Sequence, residues 1–409
     1  MAHYDAILLS SFGGPEGQDD VIPFLRNVTA GRGIPDERLE EVATHYRHFG
    51  GVSPINEQNR QLKAALEVEL AARGIDLPVY WGNRNWAPYF GDVVREAEAA
   101  GRTRLLGLVT SAYTSYSGVG QYREDFLKAT AGTSVSIDRV REYFDHPGFV
   151  TPFIDGVSDA AASLSAEGVE PGRTHIVYVT HSIPITAATA SAEGFEDRVG
   201  AGEGGAYVAQ HLAVACVINE AAAPESPWSL VYQSRSGDPR TPWLEPDIND
   251  AIGELAAGGL TDAVVIVPFG FVSDHMEVMW DLDNEAVQTA GEHDLKVRRV
   301  PTPGVHPAYV AGLVDLVLER MNDVPDAERL HLTALGPWPD HPRVESGAVV
   351  ESDGRVASAD ETPVGRVASA GEPPGRAPDR VGAPAPYRDL ASAGERIETQ
   401  ADTREATSR

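Results

Sequence analysis

Apolar residues gather in seven short runs along the chain, at 6–11, 78–82, 104–110, 175–180, 229–234, 263–268 and 295–300. The runs are rich in Val, Ile and Leu, and several are nearly unbroken, as in parallel strands covered on both faces. Stretches of helical periodicity separate them, at 36–49, 56–73, 91–100, 119–130, 148–167, 205–222, 247–257, 275–290 and 306–322. Strand and helix alternating in this way predict an α/β fold with doubly wound parallel sheets. The length of the pattern makes two such domains, and Asp145-His146-Pro147-Gly148 reads as the turn between them. The expected division is an N-terminal domain over 1–147 and a C-terminal domain over 148–340 that ends in a terminal helix.

The pattern stops at residue 340. Residues 341–409 are rich in Ala, Gly, Pro, Ser and Arg, and the hexamer Gly-Arg-Val-Ala-Ser-Ala occurs at 354–359 and again at 365–370. Such a segment buries too little apolar area to offset its ordering entropy, so a disordered tail is expected there.

Charge narrows the partners. The 409 residues include 61 acidic and 33 basic ones, a formal net charge of −28. The tail holds 12 acidic and 9 basic residues, so −25 belongs to residues 1–340. Phosphate binding needs Lys and Arg stripes, and anionic membranes repel an acidic surface, so neither nucleic acid nor a membrane surface is an expected partner. No segment approaches the roughly 20 apolar residues that span a bilayer, so no membrane insertion is expected. The N-terminus runs directly into a strand without a secretory pattern, and a cytoplasmic monomer is expected. Cys216 is the only cysteine, which excludes an internal disulfide and any site built from several thiolates. A metal would have to be met by His, Asp and Glu.

In doubly wound sheets ligands lie beyond the carboxyl ends of the strands. After the first run comes Phe12-Gly13-Gly14-Pro15, a tight turn or a close backbone approach to a ligand. After the fourth comes His181-Ser182-Ile183-Pro184, which sets an imidazole at the crevice, either as a structural residue or as half of a site. After the sixth, a helix opens near Ser273 or Asp274, both natural N-caps, and carries Asp274, Glu277, Asp281 and Glu285 on one face. Val278, Met279, Leu282 and Ala286 form the other face. The acidic face is either solvated surface or a ladder of hard oxygen ligands that passes a cation or protons along the helix. Gly200-Ala201-Gly202-Glu203-Gly204-Gly205 fits a dinucleotide fingerprint, but no strand precedes it and Glu203 would repel a pyrophosphate, so no dinucleotide is expected.

Read together, these segments resemble the ferrochelatases, most closely the coproporphyrin-type enzymes of Gram-positive and actinobacterial lineages. The similarity runs over about residues 4–335. It includes LLSSFGGP, FGGVSPIN at 49–56, SGVGQY ending at Tyr122, THSIP at 180–184, AYVAQ at 206–210, YQSRSGDPRTPWLEPDI at 232–248 and PFGFVSDHMEVMWDLDNEA at 268–286. The resemblance implies two Rossmann-like domains of chelatase type with a porphyrin in the cleft between them. It implies that His181 and Glu277 are the catalytic pair and meet the metal, that Asp281 and Glu285 continue an acidic relay, and that Ser53 and Tyr122 contact the porphyrin. Arg26, Arg32 and Arg47 lie in the same N-terminal region and suit propionates.

Two departures stand out. Many Gram-positive relatives have Tyr, which can contact the metal, where Phe12 stands; Phe offers no oxygen. Some actinobacterial relatives carry an iron–sulfur cluster, which Cys216 alone could not hold, so no cofactor is expected and Fe²⁺ is a substrate. The implied activity is insertion of ferrous iron into coproporphyrin III. The alternatives are the same chemistry on protoporphyrin IX and a non-catalytic tetrapyrrole or metal carrier on the same fold.

Overall fold

The apolar runs fold into two four-stranded sheets. β1 (Ala6–Ser11), β2 (Val79–Asn83), β3 (Arg104–Val109) and β4 (Ser136–Arg139) form the first, in the order β2-β1-β3-β4. β5 (Thr174–His181), β6 (Trp228–Gln233), β7 (Ala263–Val267) and β8 (Lys296–Arg299) form the second, in the order β6-β5-β7-β8. Every ladder in both sheets is parallel. Strand order therefore reverses between β1 and β3 and again between β5 and β7, where such sheets open a crevice at their carboxyl ends. This computed structural model describes residues 3–345 except 32, 201, 203 and 237–239, together with the backbone of 349–350 and 356–357.

Side chains alternate across each sheet, so each strand supplies two cores. Ile7, Leu9, Leu106 and Leu108 face a core shared with Ile176, Tyr178, Val265 and Val267 of the second sheet. The helices Ile55–Ala72, Pro147–Ala166, Gly205–Ala222 and Pro307–Met321 contribute to that same core. Ala6, Leu8, Leu105 and Ile137 face the helices Phe90–Ala99 and Gln121–Thr130. Val177, Val179, Val264 and Ile266 face Ile248–Ala257 and the segment Val278, Leu282, Ala286 and Ala290. Gly205, which opens Gly205–Ala222, serves packing: a Cβ there would stand 2.0 Å from the Ala188 carbonyl oxygen. No helix among the described residues is long and apolar enough to cross a membrane.

β4 is absent from the apolar pattern because it reads Ser-Ile-Asp-Arg. Its charges are buried but paired. Asp138 accepts from Arg343 at 3.1 Å and from Arg104 at 3.2 Å, and Glu142 accepts from His341 at 2.7 Å and pairs with Arg139 at 3.1 Å. Val344 also bridges to Ile137. The expected tail therefore starts too early: residues 341–345 belong to the folded body, because the carboxylates of Asp138 and Glu142 draw them in. Residues 358–409 of that tail lie outside the described residues.

Arg141 is fully buried, bonding Glu319 at 2.8 Å and the Leu330 carbonyl at 2.8 Å, with Asp145 at 3.6 Å. Burial alone would raise the Glu142 carboxyl, but His341 and Arg139 hold it below its ordinary value. At Asp145 burial outweighs Arg141 and pushes the carboxyl up to about 6, and Oδ1 has no hydrogen-bond partner among the described residues. Because this folded-state pKa lies above the unfolded one, the contribution of Asp145 is fully present below about pH 4 and is lost as pH rises through about 6. Asp145→Asn should accordingly flatten the decline in urea midpoint between about pH 4.5 and 7.5. An unchanged slope would assign the pH dependence to other groups.

Candidate functional site

His181 is the last residue of β5, at the strand-order reversal of the second sheet. A Cβ on Gly270, just beyond β7, would meet Thr180 Oγ1 at 2.1 Å, so only glycine lets the two strand ends lie this close. The segment 242–244 folds back over the residues after His181: Ser182 Oγ donates to the Leu244 carbonyl at 2.8 Å and Ile185 N to the Pro242 carbonyl at 3.0 Å. Tyr207 braces the strand end from inside, donating its hydroxyl to the His181 carbonyl at 2.8 Å. The imidazole Nδ1 donates to the Ser182 carbonyl. That bond keeps a proton on Nδ1, so Nε2 is the ring nitrogen turned toward Glu277 and the one that exchanges a proton.

Glu277 Oε2 stands 3.6 Å from His181 Nε2, within ion-pair range but too long for a hydrogen bond. Glu277 lies in the first turn of a helix capped by His275, whose Nδ1 accepts from the backbone N–H of Glu277 at 3.2 Å and Val278 at 3.4 Å. Burial holds the His275 imidazole below its ordinary pKa, which keeps it neutral and able to accept. The cap was expected at Ser273 or Asp274. Asp274 instead pairs with Arg299 at 3.0 Å, while its backbone N–H donates to Gln58 of the first half at 2.9 Å. A neutral histidine can occupy the cap because Arg299 has already taken up the neighbouring carboxylate.

The helix continues as a π-helix over Met279–Ala286 and returns to α over Val287–Glu292. Glu277, Asp281 and Glu285 recur every four residues, as do the buried Val278, Leu282, Ala286 and Ala290. In an α-helix four residues turn through about 400°, so each row drifts by about 40° per step. The wider π turn, closed by i→i+5 bonds, winds less per residue and corrects the drift, which holds the acidic row and the apolar row to their faces. The Asp281 carboxyl is half-buried, and burial pushes it up to about 7 against the lowering effect of the Ser234 hydroxyl. Glu285 accepts from Trp280 Nε1 at 2.8 Å.

The first half of the chain meets this helix through aromatic rings. His45 stacks on Trp280 with centroids 4.0 Å apart and planes 6° apart, and His48 meets the same ring edge-on at 5.6 Å. Tyr46 packs against Phe24, with burial and then the charge of Glu277 raising its pKa. Tyr46 has no sequence signal of its own. Its place follows from the helix Asp36–His48, which packs Leu39, Ala43 and Tyr46 on one face against Phe24.

The remaining expected residues stand as follows. Ser53 is buried beside the β1 loop, donating its backbone N–H to Pro15 at 2.9 Å, and a Cβ on Gly14 would meet its side chain at 2.7 Å. Tyr122 is buried between Phe90 and Phe126, with the Arg84 guanidinium 4.1 Å above its ring. Arg26 is paired with Asp36 at 2.8 Å and Arg47 with Glu40 at 2.6 Å, while Arg32 lies outside the described residues. Phe12 is 39% exposed and packs edge-on against Phe24. Among the described residues no group of three or more His, Cys, Asp or Glu is arranged to hold a metal ion. His181 and Glu277 offer two donors only, which suits brief contact with a cation whose other positions stay open for exchange.

The family model for ferrochelatase matches residues 4–321. The coproporphyrin III ferrochelatase of Leifsonia xyli subsp. xyli is 61% identical over 347 residues, which cover 82% of this chain and 89% of that protein. That of Streptomyces coelicolor is 56% identical, covering 78% of this chain and 86% of that protein. That of Tropheryma whipplei strain Twist is 54% identical, covering 82% and 87%.

Proposed function

The chain belongs to the ferrochelatase family, and from that premise we propose that it inserts Fe²⁺ into coproporphyrin III, with His181 and Glu277 at the reacting centre. The observation that carries the reading is the 3.6 Å approach of Glu277 to His181 Nε2 at the carboxyl end of β5. We read residues 1–147 and 148–340 as two domains with the porphyrin between them. The enzyme then works as a cytoplasmic monomer, a setting that suits a lone unpaired thiol at Cys216.

Metal insertion exchanges two pyrrole protons for one Fe²⁺ inside a rigid ring. The protons need a base, and the cation must shed water as it meets the nitrogens. His181 Nε2 is the ring nitrogen that exchanges a proton, because Nδ1–H is committed to Ser182. It can accept a pyrrole proton or hold the cation briefly, and the Glu277 carboxylate favours positive charge there in both cases. Asp281, raised to about 7, exchanges protons readily near neutral pH and is the natural next station. The stacked rings of His45 and Trp280 and the edge of Phe12 supply apolar wall, the kind of surface that can grip a distorted macrocycle.

Coproporphyrin carries four carboxylates, for which Ser53, Arg26, Arg32 and Arg47 are the proposed donors. Arg26 and Arg47 sit in solvent-exposed, weakly held ion pairs, so exchanging Asp36 or Glu40 for a propionate costs little. Tyr122 acts from beneath, holding Arg84 at the rim.

Anaerobic incubation with Fe²⁺ and free porphyrin should give a metalloporphyrin spectrum growing well above the protein-free rate, and faster with coproporphyrin III than with protoporphyrin IX. Faster growth with protoporphyrin would reassign the substrate. Stoichiometric binding of porphyrin without turnover would leave only a carrier.

A further inference from the structure

β6 ends directly beside His181, since the parallel register pairs His181 with Gln233. Gln233 is 1% exposed. Its Nε2 lies 3.2 Å from the Glu277 carbonyl oxygen and 3.3 Å from both Asp281 Oδ2 and Ser234 Oγ, while its Oε1 has no partner among the described residues. The next residue, Ser234, has φ 60°, in the left-handed region that L side chains disfavour. Asp294 and Asp323 share a positive φ, but each follows the end of a helix, where that conformation is common. Ser234 follows a strand and caps nothing. Its unfavourable backbone instead turns the hydroxyl onto Asp281 Oδ2, to which it donates a hydrogen bond. Strained residues of this kind gather where the surrounding structure holds a functional group in place.

We propose that Ser234, braced by Gln233, is a positioning residue for metal insertion: it holds the Asp281 carboxylate in line behind Glu277, so that the incoming cation reaches the His181–Glu277 pair along one ordered row. The inference rests on the reading of Glu277 and Asp281 as an acidic path. Without the Ser234 hydroxyl, Asp281 loses its fixed direction, and the steps that use that direction should suffer.

The test compares Ser234→Ala, Ser234→Gly, Asp281→Asn and the Ser234→Ala/Asp281→Asn double variant in anaerobic steady-state assays, with Fe²⁺ varied at saturating coproporphyrin. Ser234→Gly is the folding control, because glycine takes up φ 60° without strain. Both Ser234 variants should raise the KM for Fe²⁺ about tenfold, the scale of one hydrogen bond to a charged group, with the porphyrin KM unchanged. The double variant should be no worse than Asp281→Asn, since both changes act through one carboxylate. Parental KM for Fe²⁺ in Ser234→Gly overturns the proposal, as does full additivity in the double variant. Parental kinetics in Asp281→Asn would take the acidic path down as well, which separates failure of that reading from failure of the Ser234 assignment alone.

Discussion

His181→Ala should lower turnover by about 10²–10⁴-fold, the range for losing a positioned acid–base group, while coproporphyrin affinity stays essentially intact. The split follows from geometry. The imidazole presents only Nε2 toward Glu277 and the proposed reacting centre, with Nδ1 held by the Ser182 carbonyl, so alanine removes one ring nitrogen and little wall. The backbone at 181 keeps its ladder to β6, and its carbonyl keeps the bond from Tyr207, so the strand end should not shift. Turnover by metalloporphyrin absorbance and affinity by quenching of porphyrin fluorescence separate the two quantities. Turnover near the parental rate would remove His181 from the chemistry. A loss of affinity as large as the loss of rate would make it a binding residue instead.

Arg141→Met should cost about 3–5 kcal/mol of stability, the penalty for breaking one side of a buried ion pair. Methionine replaces most of the side-chain stem, so the loss is electrostatic rather than a cavity. The guanidinium bonds Glu319 at 2.8 and 3.4 Å, the Glu142 carbonyl at 3.1 Å and the Leu330 carbonyl at 2.8 Å. Without it, the Glu319 carboxylate and two carbonyls in the interior lose a donor, and Asp145 loses the cation beside it. The sign of the pH dependence follows from Asp145, which Arg141 holds down against burial. Removing the cation lifts the folded-state pKa of Asp145 further above the unfolded value, so the penalty grows as pH rises. Denaturant midpoints at about pH 5.5 and 8 should show the larger loss at the higher pH. Equal losses at both would mean that Asp145 is not coupled to Arg141.

The parallel strands were legible because burial on both faces demands nearly unbroken Val, Ile and Leu, as in the AVVIV of β7. β4 was not, because its burial is sustained by ion pairs to Arg104 and Arg343, which stand more than thirty positions before it and some two hundred after it. Local hydropathy cannot register partners at that separation. The same holds for the five residues from His341 to Glu345, whose composition matches the segment after them but whose charges answer Asp138 and Glu142. At the site, the acidic row could be read because it obeys a period of four, and His181 could be read because it ends an apolar run. Tyr46, the His45–Trp280 stack and the Ser234 hydroxyl could not, since each depends on where two distant segments meet.

The sequence by itself determined the two parallel sheets, the strand end that carries His181 and the helix that carries Glu277, since apolar period and strand length are local properties of the chain. Tertiary structure alone decided that these two residues face each other at 3.6 Å, that a π turn keeps the acidic row straight, and that β6 ends in a strained serine aimed at Asp281. The physical reason is that catalytic geometry is a matter of register between elements. Register is settled by the packing of whole faces against one another, which no single segment encodes.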